Sequence, residues 1–246
     1  MKKLIIFTII SFSLNGQDLD SLFNHAGKEY EEQNYKLALE YYQEIEMQEM
    51  HSSDLYFNIG NCYYKLSQNA LAVLYYEKSL KINPTLDEAK FNLSLVKSKL
   101  VDKIPQVPLI FYKEWTRKFT NSLSVDDWAK IALVFIFIFC VFISFFLFSS
   151  SFIFKKIMLF LSSSSLSIGF LSLIVAFYSY SNMETNAILI SENSYIKSAP
   201  SFKSEDLFIL HEGTKVLVLE EFKGWNKIKL SDGMIGWVEK ETLREI

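Results

Sequence analysis

The distribution of charged residues divides the chain into segments of different kinds. Three runs carry no charge: eleven residues from Leu4 to Leu14, eighteen from Ile131 to Phe148, and twenty-four from Ile157 to Tyr180. Apolar and polar residues are mixed at helical spacing over 17–103 and alternate in short stretches over 186–246. The pattern predicts a multi-domain chain with an all-α domain, a hairpin of two apolar helices and an all-β domain.

The first uncharged run has the features of a secretory signal. Lys2 and Lys3 precede it, and Asn15-Gly16-Gln17 follows, which is the order of charged, apolar and small residues found in such signals. Eleven helical residues extend about 16 Å, whereas the hydrocarbon of a bilayer is about 30 Å thick. We therefore predict a signal peptide over residues 1–16. An amphipathic first helix is disfavoured because positions 4–14 carry no charge.

The two longer runs are each long enough to cross a bilayer. We predict transmembrane helices over 131–148 and 157–180 within a segment 128–180, after a linker or interfacial segment over 104–127. The connection between the two helices is too short to hold a domain, so both soluble domains must lie on one side. Ser162, Ser165, Gly169 and Ser172 share one helical face, where small residues allow close packing against the first span or against another protein.

Two cues disagree about which side that is. The basic residues before the first span outnumber Lys155 and Lys156 in the connection, so the charge rule places the soluble domains in the cytoplasm. The signal peptide predicts export instead, and we give it precedence. The expectation is a multi-pass inner (cytoplasmic) membrane protein with both soluble domains in the periplasm. Residues 109–121 alternate apolar and basic groups, which fits a helix lying flat on the headgroups or a solvated linker.

The N-terminal domain repeats itself with an offset of 34 residues. The pairs at this offset are Tyr30 with Tyr64, Ala38 with Ala72, Tyr42 with Tyr76, Asp54 with Glu88, Phe57 with Phe91, and Asn58 with Asn92. This period is typical of solenoids built from helix-turn-helix units.

Residues 53–86 resemble the tetratricopeptide repeat through Gly60, Tyr63, Ala72, Tyr76 and Pro84. Residues 19–52 fit the same pattern more loosely, and 87–103 supply one capping helix. The resemblance implies a tetratricopeptide repeat (TPR) solenoid over 17–103. Gly60 and the two alanines of the pattern fall where two helices cross closely, so we interpret them as structural.

The resemblance also implies a concave face that binds protein. Its expected residues are Phe23, Tyr30, Phe57, Asn61, Tyr64 and Phe91, with acidic Asp20, Asp54 and Glu88 at the rim. Such a groove would suit an extended or helical protein segment that is apolar with some basic character. Alternatively, the Phe residues only pack between neighbouring first helices.

Residues 184–246 show six short alternating stretches, with Asp232-Gly233 marking a hairpin turn. The strings around Gly224-Trp225 and Gly236-Trp237 resemble the bacterial SH3-like domain. That resemblance implies an all-β barrel. Trp225 and Trp237 either pack inside it or form an aromatic ledge for a peptide or a cell-wall stem.

The candidate chemistry of the chain is sparse. With 25 basic against 28 acidic residues, the net charge of −3 provides no broad basic surface, so we expect no nucleic-acid partner. Cys62, Cys140 and three dispersed His are too few for a zinc site or a disulfide framework. No nucleophile–base set or phosphate loop stands out, so we expect no catalytic residues, no metal and no cofactor. A catalytic set assembled from distant segments stays open.

The order of signal, TPR repeats, two spans and SH3-like domain resembles the BatE proteins of the Bacteroides aerotolerance (Bat) operon. The resemblance implies von Willebrand A-domain Bat proteins and a MoxR ATPase system as partners, and a role in oxygen or envelope stress. We therefore expect a membrane-anchored, non-enzymatic scaffold that mediates protein–protein interactions. The alternative is a peptidoglycan-binding sensor that acts through the SH3-like domain.

Overall fold

The computed structural model describes residues 16–105, 111–120, 122–181 and 184–246. Helices come first, then an apolar hairpin, then a single antiparallel sheet. Apart from its last residue, the predicted signal peptide lies outside the described residues.

Five helices form the N-terminal domain: α1 (Gly16–Glu31), α2 (Tyr35–Met47), α3 (Ser53–Lys65), α4 (Asn69–Ile82) and α5 (Asp87–Lys99). The 34-residue period returns in the backbone of the turns. Gln33 and Ser67 have positive φ angles of 66° and 62°. The amide of Asn34 donates to the carbonyl of Glu29 at 2.8 Å, and that of Gln68 donates to Tyr63 at 2.9 Å. The two turns are therefore built alike, as expected of helical repeats.

Small residues lie where the paired helices cross. Ala38 and Ala72 are fully buried, and Gly60 of α3 faces the buried ring of Tyr76 in α4. A Cβ atom at position 60 would lie 2.8 Å from two carbons of that ring. The structural interpretation of these small residues therefore agrees with the packing.

Three helices follow the repeats: α6 (Phe111–Thr120), α7 (Val125–Phe148) and α8 (Phe152–Ser181). The α6 helix falls in the segment for which the sequence left a headgroup-bound helix and a solvated linker open. The α7 helix begins after Ser124, whose side chain accepts a hydrogen bond from the Asp127 amide at 3.1 Å. Both α7 and α8 are long and apolar enough to cross a membrane.

The α7 and α8 helices pack against each other through the small-residue face. Ser162, Ser165, Gly169 and Ser172 are buried. The Ser165 hydroxyl donates to the Phe135 carbonyl at 2.7 Å, and a Cβ at Gly169 would lie 3.4 Å from the Ala132 carbonyl oxygen. The partner of this face in the structure is thus the first apolar helix of the same chain.

The C-terminal domain is one antiparallel sheet of seven strands: β1 (Asn186–Leu189), β2 (Asn193–Lys197), β3 (Asp206–His211), β4 (Lys215–Phe222), β5 (Trp225–Lys229), β6 (Ile235–Glu239) and β7 (Leu243–Glu245). Their order is β3-β2-β6-β5-β4-β1-β7. The alternating pattern predicts six strands and not β7, which is only three residues long and follows a short 3-10 helix over Lys240–Thr242.

The expected closed barrel is wrong, because the sheet is open. Among the described residues β3 and β7 are edge strands that do not pair with each other. The β2 strand meets β6 at a single aligned pair, Lys197 with Trp237, and its pairing with β3 slips at Ile196/Lys197. The sheet is therefore open between β3 and β7.

The sheet also packs directly on the repeats, which the sequence did not predict. Ile188 of β1 is fully buried in the same apolar core as α3 and α4. Leu100, just after α5, lies against Gly213 in the β3–β4 turn, where φ is +83° and an added Cβ would come within 2.6 Å of the leucine. The repeats (16–100) and the sheet (186–245) therefore pack together as one unit, here called the head.

Candidate protein-binding surfaces

The predicted groove residues lie on α1, α3 and α5. Phe23 packs edge-on against Tyr42 with the ring centroids 5.3 Å apart, and Phe57 packs against Tyr76 at 6.0 Å. Both Phe side chains are half-buried and border the apolar core. This geometry favours the packing interpretation for these two residues, since each rests on the Tyr of its own repeat.

Phe91, the third member of the series, differs from the other two. Its side chain is 62% exposed on α5. Residues 100–105, the described residues that follow α5, form no helix that could cover it. Of the three predicted Phe positions, this one presents the most apolar surface to a ligand.

Two further predicted groove residues are engaged in contacts between helices. The Asn61 side-chain oxygen accepts hydrogen bonds from the Tyr76 hydroxyl at 2.7 Å and the Asn92 amide at 2.9 Å. The Tyr64 hydroxyl accepts one from Lys99 at 2.9 Å, and the ammonium group lies 4.4 Å from the centre of the ring. A cation therefore stands beside the groove aromatics, which the expected aromatic and acidic surface did not include.

The remaining predicted positions are Tyr30 and the acidic rim. Tyr30 of α1 packs against Tyr35 at 5.2 Å. The rim residues Asp20, Asp54 and Glu88 are all exposed.

Burial keeps Tyr42 and Cys62 of the repeats in their neutral forms. Burial, with smaller contributions from neighbouring groups, raises the pKa of Tyr42 to about 12. Burial likewise raises the pKa of Cys62 to about 12, so its thiol stays protonated at neutral pH. A protonated, buried thiol is a poor nucleophile, and Cys62 therefore serves as a small core residue.

The two tryptophans predicted as a ledge lie on one face of the sheet. Lys227 of β5 stands directly opposite Trp237 of β6, and Trp225 is two residues before Lys227, so all three share a face. Trp225 is buried, whereas Trp237 is half-buried with the Lys227 ammonium 5.8 Å from its ring. The structure therefore brings both rings to one face but leaves only Trp237 partly open.

Phe202 covers Trp225 and was missed by the sequence analysis. Its ring stands edge-on to Trp225 with a centroid distance of 5.0 Å, and 70% of the residue is exposed. The loop that carries it, 198–205, is fastened by an ion pair of 2.6 Å between Lys197 and Asp206. The sequence feature that could have identified Phe202 is its place two residues after Pro200, in a loop between two short strands.

The junction between repeats and sheet is polar as well as apolar. Glu77 of α4 is buried and accepts hydrogen bonds of 2.7 Å from both Lys97 of α5 and Lys215 of β4. Burial alone would raise the pKa of Glu77, but the two ammonium groups outweigh it and hold that pKa below its usual value. One carboxylate thus joins the two domains.

A second carboxylate works in the same way at the other side of the junction. Asp102 accepts hydrogen bonds from the His211 amide at 2.7 Å, the His211 ring at 2.8 Å and the Thr214 hydroxyl at 2.8 Å. Burial opposes ionisation here too, but these donors lower the pKa of Asp102. Together with Glu77 it defines the domain seam, the polar junction between repeats and sheet.

The comparisons with known proteins match one segment of the repeats and most of the sheet. Residues 53–86 match the family model of the tetratricopeptide repeat, and residues 192–244 match that of the bacterial SH3 domain. A comparison with curated proteins found no match. Tetratricopeptide repeats generally mediate protein–protein interactions, and the match to a bacterial SH3 domain suggests cell-wall binding. The chain thus combines a TPR repeat and a bacterial SH3 domain, two modules that are typically non-catalytic.

Proposed function

We propose that the chain is a membrane-anchored, non-enzymatic scaffold of the cell envelope that recruits a partner protein through its repeats. The observation that carries this proposal is the head itself, in which the repeats and the sheet share a core through Ile188. The head is joined to two helices with the length and composition of membrane spans. Such an arrangement holds binding surfaces at a membrane.

Contact between the two domains supports a hairpin topology. The domains are separated in sequence by both apolar helices, yet Asp102 and His211 are hydrogen-bonded to each other. They must therefore lie on one side of any bilayer that the hairpin crosses. An inner-membrane location with the head in the periplasm is part of the proposal, and the predicted signal peptide supports it.

The proposed complex is one of aerotolerance or envelope stress. The support is the resemblance in domain order to BatE proteins, which implies von Willebrand A-domain Bat proteins and a MoxR ATPase system as partners. The exposed ring of Phe91 is the contact we assign to the partner. The other proposed groove residues, Phe23, Tyr30, Phe57, Asn61 and Tyr64, shape the surface around it.

Photocrosslinking in native membranes tests the scaffold. A photoreactive phenylalanine analogue at Phe91 should give protein adducts, whereas the same group at Met47, exposed on α2, should not. Equal adducts at both positions, or none at Phe91, would contradict the proposal.

Thiol labelling tests the orientation. A cysteine at Lys155, in a Cys140→Ser background, should react with a membrane-impermeant reagent only after the cytoplasmic side is opened. Reaction from outside would place the head in the cytoplasm, as the charge rule predicts.

A second candidate function is binding of cell-wall peptide stems. The specific observation in its favour is the exposed Phe202 ring over Trp225 in a bacterial SH3 domain. Because Ile188 belongs to the repeat core, the sheet should be tested within the full chain rather than alone.

Purified cell-wall sacculi should retain the full chain in mild detergent, and Phe202→Ala should reduce that retention. Met234→Ala removes an exposed apolar residue at the end of the β5–β6 hairpin far from Trp225 and serves as the control. If both variants bind as the unaltered chain does, or if the chain is not retained at all, this second function fails.

A further inference from the structure

The α6 helix carries an apolar stripe that is largely exposed. Phe111, Trp115 and Phe119 follow each other at intervals of four residues and are 83%, 64% and 48% exposed. Residues four apart on a helix differ by only about 40° in direction, so the three rings share a side. The Trp115 and Phe119 rings are stacked with their centroids 6.2 Å apart.

The stripe is continuous with the apolar surface of the hairpin. The Phe119 ring lies 5.3 Å from that of Trp128, near the start of α7. The Trp128 indole donates a hydrogen bond to the Thr120 carbonyl at 3.1 Å, which fixes the end of α6 on the beginning of α7. The uncharged run of α7 begins three residues later, at Ile131. The α6 helix therefore ends at the level at which α7 would enter a bilayer.

We propose that α6 is an interfacial helix that lies in the headgroup layer, with Phe111, Trp115 and Phe119 inserted among the upper acyl chains. This inference rests on the proposed membrane anchoring. Aromatic rings at this depth are favourable because they bury apolar surface without leaving the polar boundary.

The charge of α6 fits a lipid surface. Residues 111–120 contain three basic residues and one acidic residue, Glu114, which is paired with Lys118 at 2.7 Å. The net positive charge complements anionic headgroups. Positions 113 and 117 fall on the side of the helix opposite Trp115, as expected for a helix lying flat.

Fluorescence quenching in reconstituted vesicles tests the proposal. Trp225 and Trp237 are replaced by Phe, whereas Trp128 is kept because its indole holds the end of α6. The Trp115 emission is taken as the difference from a Trp115→Phe variant, and the vesicles combine phosphatidylcholine with phosphatidylglycerol. Lipids brominated near the top of the acyl chain should quench most of the Trp115 emission, and lipids brominated near the bilayer centre should quench less. In the matched control Trp115→Phe with Arg117→Trp, the emission obtained by the same difference should remain largely unquenched.

Equal quenching at positions 115 and 117, or none at 115, would overturn the proposal. Flotation of the same vesicles separates this failure from failure of the membrane anchor, since a protein without spans does not float with the lipid. If the Trp-depleted variant does not fold, a spin label at Trp115→Cys in the Cys140→Ser background replaces it. Greater accessibility to oxygen than to a polar nickel chelate is then expected, and the reverse would refute the inference.

Discussion

Gly60 lies against the ring of Tyr76 where α3 crosses α4. A methyl group there would overlap the ring at 2.8 Å, and the Tyr76 hydroxyl is tied to Asn61. We expect Gly60→Ala to lower the free energy of unfolding by about 1–3 kcal/mol, the usual cost of overpacking. Thermal or urea unfolding of the full chain in detergent measures this.

Gly27 of α1 is the matched control for that substitution. The nearest atom to its added Cβ is the Tyr42 hydroxyl oxygen at 3.8 Å, so a methyl group fits. Gly27→Ala should raise the free energy of unfolding by about 0.5–1 kcal/mol, because glycine loses more conformational entropy than alanine when the helix forms. Equal effects at the two positions would show that the helix crossing is not tight.

Cys62 should be unreactive in the folded protein. Its pKa is raised to about 12 by burial, so almost no thiolate exists at pH 8. In a Cys140→Ser background, a maleimide should label the native chain negligibly and the urea-unfolded chain fully. Labelling of the native chain at the rate of an unfolded one would contradict the buried position of this thiol.

At the scale of elements, the contact between α7 and α8 depends on Gly169. Its added Cβ would press on the Ala132 carbonyl and the Phe135 side chain at 3.4 Å. Gly169→Leu should therefore separate the helices and lower the unfolding midpoint in mixed micelles of mild detergent and SDS. Ser167→Leu lies on the exposed side and should leave that midpoint unchanged. The same loss from both variants would mean that close packing is unimportant.

The sequence predicted elements well wherever their own periodicity defines them. The 34-residue repeat and the small-residue face of α8 are local patterns, and the structure shows helical repeats and a helix pair at those places. The open sheet was not predictable in this way, because closure depends on whether the edge strands β3 and β7 meet, and they are far apart in the sequence. The β7 strand was missed because three residues carry almost no alternation.

At the scale of the whole molecule, the domain seam should be sensitive to acid. The pKa values of Glu77 and Asp102 are lowered in the folded chain. A lowered pKa means that the stabilisation is complete above the usual carboxyl pKa and is lost as the pH falls through the lowered value. Docking should therefore weaken as the pH drops below about 4.5, the usual value for Glu77.

Energy transfer between dyes on the two domains measures this. Cysteines at Met50 and Ser231, both exposed, carry the dyes in a Cys140→Ser background. Transfer should fall on acidification while far-ultraviolet circular dichroism stays constant. Glu77→Gln combined with Asp102→Asn should show low transfer already at neutral pH. Constant transfer in the unaltered chain down to pH 3 would show that the carboxylates do not hold the domains together.

The seam itself lay beyond sequence reasoning. Asp102 and His211 are 109 positions apart, and Glu77 and Lys215 are 138 apart, with two apolar helices between them. Neither pair belongs to a motif of the repeat or of the SH3 domain. For the same reason Phe202 was overlooked, since only the folded loop brings it to Trp225.

The positions of Asp102 and β1 have a mechanical consequence. The chain leaves the repeats at Asp102 on its way to α7 and returns from α8 directly into β1, which holds Ile188 in the repeat core. Both segments that connect the hairpin to the rest of the chain are thus attached at the contact between the two domains. A force on the hairpin would therefore act on the contact between the two domains before it strained the interior of either one. The angle between the repeats and the sheet would change in response to that force.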